Sequence, residues 1–215
     1  MNKLLIIFFL TLSQIVKSQE YNISCGLSFT NNSIYPMDGF VYSFRSLNPK
    51  ISFGYSFNKK LSIEVLADKL VYSSNLNEGF SFSDFNVKMI RLMPSLKYNF
   101  YLKSVTVYGY IGGSLGLDFN MRSNFSSFND VPPYDSTILK SIYSKTLVPG
   151  YDFGIGIEYK FNGRMSIFGK IESIYNYVSK YDVTITENIG YTYINYSPMN
   201  IHSSCLTVGL NYYFR

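Results

Sequence analysis

The single histidine of the chain, His202, is the first residue whose type could support catalysis. Ser204 follows at a His-x-Ser spacing, which would bring a serine nucleophile close to an imidazole base. Such a site also needs a carboxylate to orient the imidazole. No Asp or Glu follows His202 in the chain, and Glu187 precedes it in what we predict to be a loop. The constellation is incomplete, so we predict that the protein is not an enzyme.

Two cysteines, Cys25 and Cys205, are the other side chains with reactive chemistry. In the alternating pattern described below, Cys25 shares an apolar face with Ile23 and Leu27, whereas Cys205 shares a polar face with Thr207. A disulfide needs Cβ atoms about 4 Å apart, which opposite faces and different depths do not allow unless a β-bulge intervenes. We predict two free cysteines. One histidine and two distant cysteines do not form a zinc site, and no phosphate-binding motif is present, so no metal or cofactor is predicted.

Charged side chains form a third set, and they gather on the polar face of the predicted strands. If those strands close into a small barrel, this face lines an interior that is only wide enough for its own side chains. Buried charges without partners are costly, so we predict that these residues pair into a structural network. A gated polar path for ions or small solutes remains the alternative. The residues are Glu64, Arg91, Lys97, Asp152, Glu158, Lys170 and Glu172.

Strands must position these side chains, because the sequence alternates with a period of two over long stretches. Within residues 105–119, for example, Val107, Ile111 and Phe119 share an apolar face and Asp118 lies on the other face. A helix would instead repeat apolar residues every three or four positions. Eight such runs are predicted as strands, at residues 20–31, 48–57, 61–72, 86–99, 105–118, 148–161, 165–178 and 200–214.

Short and long connections alternate strictly between these strands. An even number of antiparallel strands, with short turns at one end and long loops at the other, is the layout of a transmembrane β-barrel of a bacterial outer membrane. Both termini then lie at the periplasmic end. Closure is expected because an open sheet edge would leave unpaired backbone groups in hydrocarbon. The short turns are residues 58–60, 100–104 and 162–164, and the long loops are residues 32–47, 73–85, 119–147 and 179–199.

Aromatic residues mark both ends of the apolar face. Tyr151 and Tyr159 share that face eight residues apart. With a tilted strand this separation spans about 20 Å, close to the apolar band of about 25 Å in outer-membrane barrels. The predicted periplasmic girdle is Tyr98, Phe100, Tyr159, Phe161, Tyr212 and Phe214, and the outer girdle is Tyr72, Tyr151, Tyr175 and Tyr177.

The N-terminus has the features of an export signal. A short basic region, residues 1–3, precedes the apolar run Leu4 to Leu12 and a small residue at Ser18. The apolar run is too short for a spanning helix. We predict a signal peptide at residues 1–18, a single barrel domain at residues 19–215, and an outer-membrane location in a Gram-negative-type bacterium.

Composition excludes two further classes of protein. Hydrophobic residues make up 47% of the chain and aromatic residues 18%, which is too apolar for a disordered protein. The net charge of +5 includes no dense basic run, so no nucleic-acid partner is predicted. A secreted lipocalin-like barrel or a β-sandwich also alternates, but its apolar face points inward and its outer face is charged. The long, nearly uncharged apolar face favours lipid outside and a polar interior.

The signal peptide, the eight alternating strands, and the last strand with its ending Leu206 to Phe214 resemble the OmpA-like and PorT-like eight-stranded members of the outer membrane protein β-barrel domain family. The resemblance covers residues 19–215. It implies outer-membrane lipid as the surroundings and recognition of the C-terminal strand by the barrel-assembly machinery. The final residue is Arg215 rather than the aromatic residue usual in this group.

We predict a structural or binding role in the cell envelope, with loops 119–147 and 179–199 as the surface for an extracellular or envelope protein partner. Residues 179–199 continue to alternate around Asn188-Ile189-Gly190, which predicts that the seventh and eighth strands run on past the membrane as a projecting hairpin. A narrow, OmpW-like pore for small solutes is the alternative function. A lipid A-modifying enzyme would depend on His202 and is disfavoured by the missing carboxylate.

Overall fold

The structure is a computed structural model that describes residues 20–36, 42–78, 81–128, 136–178, 182–186, 192–195 and 198–214. The predicted signal peptide at residues 1–18 lies outside this range. Among the described residues, no helix has both the length and the hydropathy needed to cross a membrane. The strands are β1 (Glu20–Pro36), β2 (Tyr42–Ser56), β3 (Leu61–Glu78), β4 (Ser81–Leu102), β5 (Val105–Phe128), β6 (Ser136–Lys160), β7 (Met165–Val178), β8 (Asp182–Thr186), β9 (Thr192–Asn195) and β10 (Met199–Phe214).

Eight of these strands, β1 to β7 and β10, close into an antiparallel barrel. Each strand from β1 to β6 pairs with the next, and β10 pairs with both β7 and β1. The seam between the first and last strands is long, running from Tyr21 opposite Phe214 to Pro36 opposite Met199. The predicted eight-stranded barrel is therefore confirmed.

Three tight turns close one end of the barrel, called the turn end below, where Glu20 and Phe214 also lie. The side chain of Asn58 accepts hydrogen bonds from the backbone N–H groups two and three residues further on, at 2.8 Å each. Asn162 does the same at 2.8 and 2.6 Å. Lys103, in the remaining turn, has a φ of 57°. Asparagine stabilises turns in this way because its side chain imitates a backbone acceptor.

The strands at the opposite end are longer than the sequence predicts. The β5–β6 ladder continues from Phe119 opposite Lys145 to Phe128 opposite Ser136, so most of the predicted loop 119–147 is paired strand. Polar side chains do not prevent pairing in water, because the ladder is made by the backbone. A hairpin is present within residues 179–199 as β8 and β9. It does not continue the β7–β10 ladder as predicted, because that ladder ends at Val178 opposite Met199 and β8 pairs with the outer part of β6. We call these outer parts of β3 to β6, together with β8 and β9, the projecting sheet.

Two ladders of the barrel wall end early, and we call these places the splits. The β2–β3 ladder stops at Lys50, and the β6–β7 ladder stops at Gly150. The next residue of each strand away from the turn end is a proline, Pro49 and Pro149. Proline has no N–H to donate to a ladder. Beyond the splits the wall divides into two half-sheets, one containing β3 to β6 and the other β7, β10, β1 and β2.

Apolar side chains fill the space between the two half-sheets. We call this set the outer apolar cluster, and three of its members are methionines, which adapt to irregular gaps. Nearer the turn end the interior is polar, so the cluster lies over a polar lumen. Its members are Ile34, Phe44, Leu70, Val87, Met89, Phe119, Met121, Val148, Val178, Met199 and Ile201.

A β-bulge at Asp118 changes which face of β5 points inward. Asp118 has a φ of 51°, and the register of β5 against β4 shifts by one residue there. Phe119, which the alternation assigned to the apolar outer face, is instead 1% exposed in the outer apolar cluster. Met121 follows it inward, and Arg122 is exposed on the outside. The sequence pattern was wrong here because a bulge inserts one residue without changing residue types.

Glycines on β6 make room for large rings inside the barrel. Gly156 lies opposite Tyr108, and a Cβ atom at Gly156 would overlap the tyrosine ring. Gly109 on β5, by contrast, has nothing within 4 Å of the position that a Cβ would take.

Replacing Gly156 with valine is expected to lower the free energy of unfolding by about 1–3 kcal/mol, because extra methyl groups force a packed ring to move. The measurement is urea unfolding of the refolded protein in lipid vesicles, followed by its shift on a denaturing gel. Gly109→Val is the matched control and should be neutral or mildly stabilising, since valine favours strands. An equal loss in both variants would contradict the packing argument.

Candidate functional site

The outward face of the barrel is apolar between the turns and the splits. In the described residues of this zone, no outward-facing side chain carries a charge. Ile111, Ile155 and Ile51 are exposed by 66%, 65% and 63%. A soluble barrel would have the opposite arrangement, with charge outside and apolar residues inside. The surface is therefore suited to lipid, and the candidate functional surfaces are the lumen and the projecting sheet.

Aromatic residues lie at both edges of this apolar zone. Tyr175 is half-buried, because its ring stacks on Tyr151 at 4.9 Å and on His202 at 4.3 Å. Tyr72 does not belong to the outer girdle as predicted, since its ring packs on Phe44 at 4.4 Å against the outer apolar cluster. The other girdle residues are exposed: Tyr98, Phe100, Tyr159, Phe161, Tyr212 and Phe214 near the turn end, and Tyr151 and Tyr177 near the splits.

The upper layer of the polar lumen is built around Arg91, which is fully buried. Its guanidinium donates two hydrogen bonds to the carboxylate of Asp68, at 2.8 and 2.6 Å. A third goes to the hydroxyl of Ser203 at 2.9 Å, and Ser203 in turn donates to Asn32 at 2.7 Å. Ser203 lies on β10, directly across the barrel from Arg91 on β4. These bonds therefore cross the lumen and join opposite walls.

Glu172 is the centre of the next layer. Its carboxylate accepts hydrogen bonds from Lys50, from Tyr110 at 2.7 Å and from Thr207 at 2.8 Å. Lys170 forms an ion pair with it at 3.1 Å. Four strands thus supply partners to one carboxylate, which is how a buried charge is kept satisfied.

Glu158 holds the layer nearest the turn end. It accepts hydrogen bonds from Tyr213 and from Ser166, the latter at 2.6 Å. Lys97 lies 3.8 Å from the same carboxylate, and its ammonium group is 3.6 Å from the centre of the Tyr108 ring. Three layers of polar side chains therefore lie in the lumen between the splits and the turn end. A small buried apolar cluster separates the Arg91 layer from the Glu172 layer, and its members are Leu66, Met93, Ile174 and Cys205.

All seven charged residues predicted for the interior lie there. Five of them take part in the contacts above, while Glu64 is half-buried and Asp152 is 2% exposed. Sequence reasoning missed two further members, Lys50 and Asp68, which are 3% and 4% exposed. The sequence pattern could have identified both. Lys50 precedes the outward-facing Ile51 and so lies on the inner face, and Asp68 lies four residues after Glu64 on the same face of β3.

Little free volume remains in the lumen. The polar recess at the turn end, lined by Glu64, Lys97 and Glu158 among others, has a volume of about 20 Å³. This is room for about one water molecule. At the other end the outer apolar cluster closes the interior with residues that are at most 4% exposed.

His202 is not part of a catalytic triad in the described residues. Its Nε2 atom lies 3.4 Å from the hydroxyl oxygen of Ser204, and its ring stacks on Tyr175. No carboxylate of the described part of the chain bonds to it, and Glu187 lies outside that part. Cys25 is exposed and Cys205 is buried, both as free thiols, in agreement with the predicted faces. The described residues contain no group of His, Cys, Asp and Glu that could hold a metal ion.

Comparison with known proteins gives the same architecture. A family model described as "Outer membrane protein beta-barrel domain" matches residues 4–214. The structure of Neisserial surface protein A is similar with a TM-score of 0.50 and 18% identity, covering 89% of this chain and 96% of that one. OprG from Pseudomonas aeruginosa has a TM-score of 0.55 and 14% identity, covering 93% and 97%.

A major outer membrane protein from Thermus thermophilus also has a TM-score of 0.55, with 10% identity over 92% of this chain and 100% of that one. No curated protein matches the sequence. At these identities the similarity concerns the fold alone.

Proposed function

We propose that this chain, which belongs to the outer membrane protein β-barrel domain family, is a closed, non-catalytic barrel with a structural or binding role in the cell envelope. Membership places it in the outer membrane of a Gram-negative-type bacterium. In barrels of this class the short turns face the periplasm and the long connections face outward. The projecting sheet is then extracellular.

The filled lumen is the observation that carries this proposal. A solute would have to displace hydrogen-bonded charges such as Arg91 and Glu172, which are 0% and 2% exposed. It would then have to pass the outer apolar cluster, which offers no polar partners. These barriers favour a structural or binding role over the alternative of a narrow pore for small solutes.

The surface for a partner is the projecting sheet. Its β5 and β6 strands are 24 and 25 residues long, far more than the 9–11 residues that cross a bilayer. The surplus stands outside the membrane as a continuous ladder with β8 and β9 attached. This supports an interaction with an extracellular or envelope protein through residues 119–147 and 179–199, the segments that the sequence singled out.

The two ends of the chain have separate roles in export and assembly. The predicted signal peptide, residues 1–18, would direct the chain across the inner membrane. The last strand, β10, closes the barrel against β1 and ends in the outward aromatic residues Tyr212 and Phe214. We propose that this strand is the part recognised by the barrel-assembly machinery.

In planar lipid bilayers the purified protein is expected to produce no single-channel steps, because the filled lumen leaves no continuous path for water or ions. A general porin inserted into the same bilayers serves as the positive control, and insertion of this protein is verified by its shift on a gel without boiling. Reproducible, gated steps from the inserted protein would refute the closed-barrel proposal and support the narrow pore.

A further inference from the structure

We propose that a basic cleft on the outer rim of the barrel binds the phosphorylated headgroup of a glycolipid in the surrounding outer leaflet. The cleft lies outside β4, β5 and β6 and has a volume of about 830 Å³. Lys88, Arg122 and Lys145 line it, together with Asn86 and Asn120. It is separate from the lumen, and it lies at the base of the projecting sheet, at the membrane-side end of the segment 119–147 proposed above for a protein partner.

Strand register brings four of these side chains, those on β4 and β5, together. Lys88 lies directly opposite Asn120, and Asn86 opposite Arg122. Lys88 and Arg122 are therefore diagonal neighbours, roughly 7–8 Å apart and within reach of one ligand. The amide side chains between the cations supply both donors and acceptors for sugar hydroxyls.

The bulge at Asp118 creates the cleft. Without the extra residue, the alternation of β5 would turn Arg122 into the interior and leave Phe119 outside. With it, Phe119 is buried and Arg122 is exposed beside Lys88. Bulges commonly re-aim side chains in this way next to functional sites. Asp118 itself lines the cleft, so the three cations meet one carboxylate and a net charge of about two positive units remains.

The cleft lies at the level along the barrel axis where lipid headgroups are expected. No outward-facing described residue between the turns and the splits is charged. Lys69, opposite Ile90, is the first cation beyond the β2–β3 split, and Lys88, opposite Val71, comes two residues further out. Positive charge therefore begins where the apolar zone ends, which is the level of phosphates in the outer leaflet.

The cations of the cleft differ from those of the lumen in their pairing. No ion pair or hydrogen bond joins Lys88, Arg122 or Lys145 to another described residue. The interior cations, in contrast, are paired, as with Arg91 and Asp68 at 2.6 Å. The volume exceeds what a single phosphate needs and falls in the range of sites for larger ligands, about 300–1,000 Å³. Charge and size together favour a phosphorylated sugar over a free anion.

The test is binding of lipid A, the phosphorylated glycolipid of outer leaflets, to the folded protein in neutral detergent micelles, measured by native mass spectrometry. The wild-type protein should retain one lipid A per barrel. The triple variant Lys88→Gln, Arg122→Gln, Lys145→Gln should bind at least tenfold more weakly. Phosphatidylcholine, which has no net charge, should not compete.

Lys59, Lys60 and Arg164 provide the matched control, because they are also two lysines and one arginine and are exposed in the turns. Their triple Gln variant should bind lipid A as the wild type does. Equal loss in both triple variants would overturn the proposal in favour of non-specific attraction. Displacement of lipid A by inorganic phosphate at equal concentration would also overturn it, since the site would then recognise a free anion.

Discussion

Replacing Asp68 with leucine is expected to destabilise the folded barrel by about 3–5 kcal/mol, because Arg91 would be left as a buried charge without its carboxylate. Arg91 is 0% exposed, and Asp68 is the acceptor of two of its hydrogen bonds. The free energy of unfolding in urea, measured in lipid vesicles, tests this prediction. The urea concentration at the midpoint of unfolding should fall, while the far-ultraviolet circular dichroism spectrum of the folded protein stays that of a β-barrel.

The double variant Asp68→Leu, Arg91→Met is the control for this experiment. It removes both charges together, and buried ion pairs can often be replaced by apolar residues at little cost. Most of the lost stability should therefore return. If the single variant stays within about 1 kcal/mol of wild type, Arg91 is not held by Asp68 and the lumen is wetter than described.

Replacing Ile155 with arginine is the second large effect, and it tests the lipid-facing surface. Ile155 is 65% exposed and lies midway between Tyr151 and Tyr159 on β6. An arginine at the bilayer midplane on the lipid face costs about 2–4 kcal/mol. The same substitution on a soluble barrel would be nearly neutral, because the side chain would meet water. The free energy of unfolding of the variant in vesicles distinguishes a lipid-facing surface from a water-facing one.

Leu147→Arg is the depth control for Ile155→Arg. Leu147 is also exposed on β6, by 50%, but it lies beyond the split at Gly150. The cost of an arginine falls to about 0–1 kcal/mol near the interface. Equal losses at the two positions would contradict the membrane depth assigned to β6.

The closed barrel was predictable because lipid on one side and the polar lumen on the other impose a period of two on every strand, as in residues 151–160 of β6. The tight turns were also predictable, since Asn58 and Asn162 have a known local role. The outer ends of β5 and β6 could not be predicted, because a polar strand that pairs in water has no alternation of apolar and polar residues. The inward orientation of Phe119 could not be predicted either, because a positive φ is uncommon even for aspartate, which adopts it more readily than most residues do.

The candidate sites were predicted unevenly for a similar reason. Parity alone placed Arg91 and Glu172 in the interior, but which charges pair depends on contacts across the barrel, such as Lys50 with Glu172. Strand parity says nothing about distances between non-adjacent strands. The basic cleft needed the bulge and the register of three strands, neither of which the sequence displays.

The two splits also set the thickness of membrane that this barrel can accept. Just beyond Pro49, and on β6 between Pro149 and the start of pairing with β8 at Ser144, the edges of the half-sheets have unpaired backbone groups, which hydrocarbon does not tolerate. On β6, the ten residue steps from Tyr159 to Pro149 rise about 25 Å along the barrel axis. A thicker bilayer would have to thin around the protein or expose those edges, at an energetic cost for each ångström of mismatch. The prolines thereby match the barrel to a membrane thinner than average, as the bacterial outer membrane is.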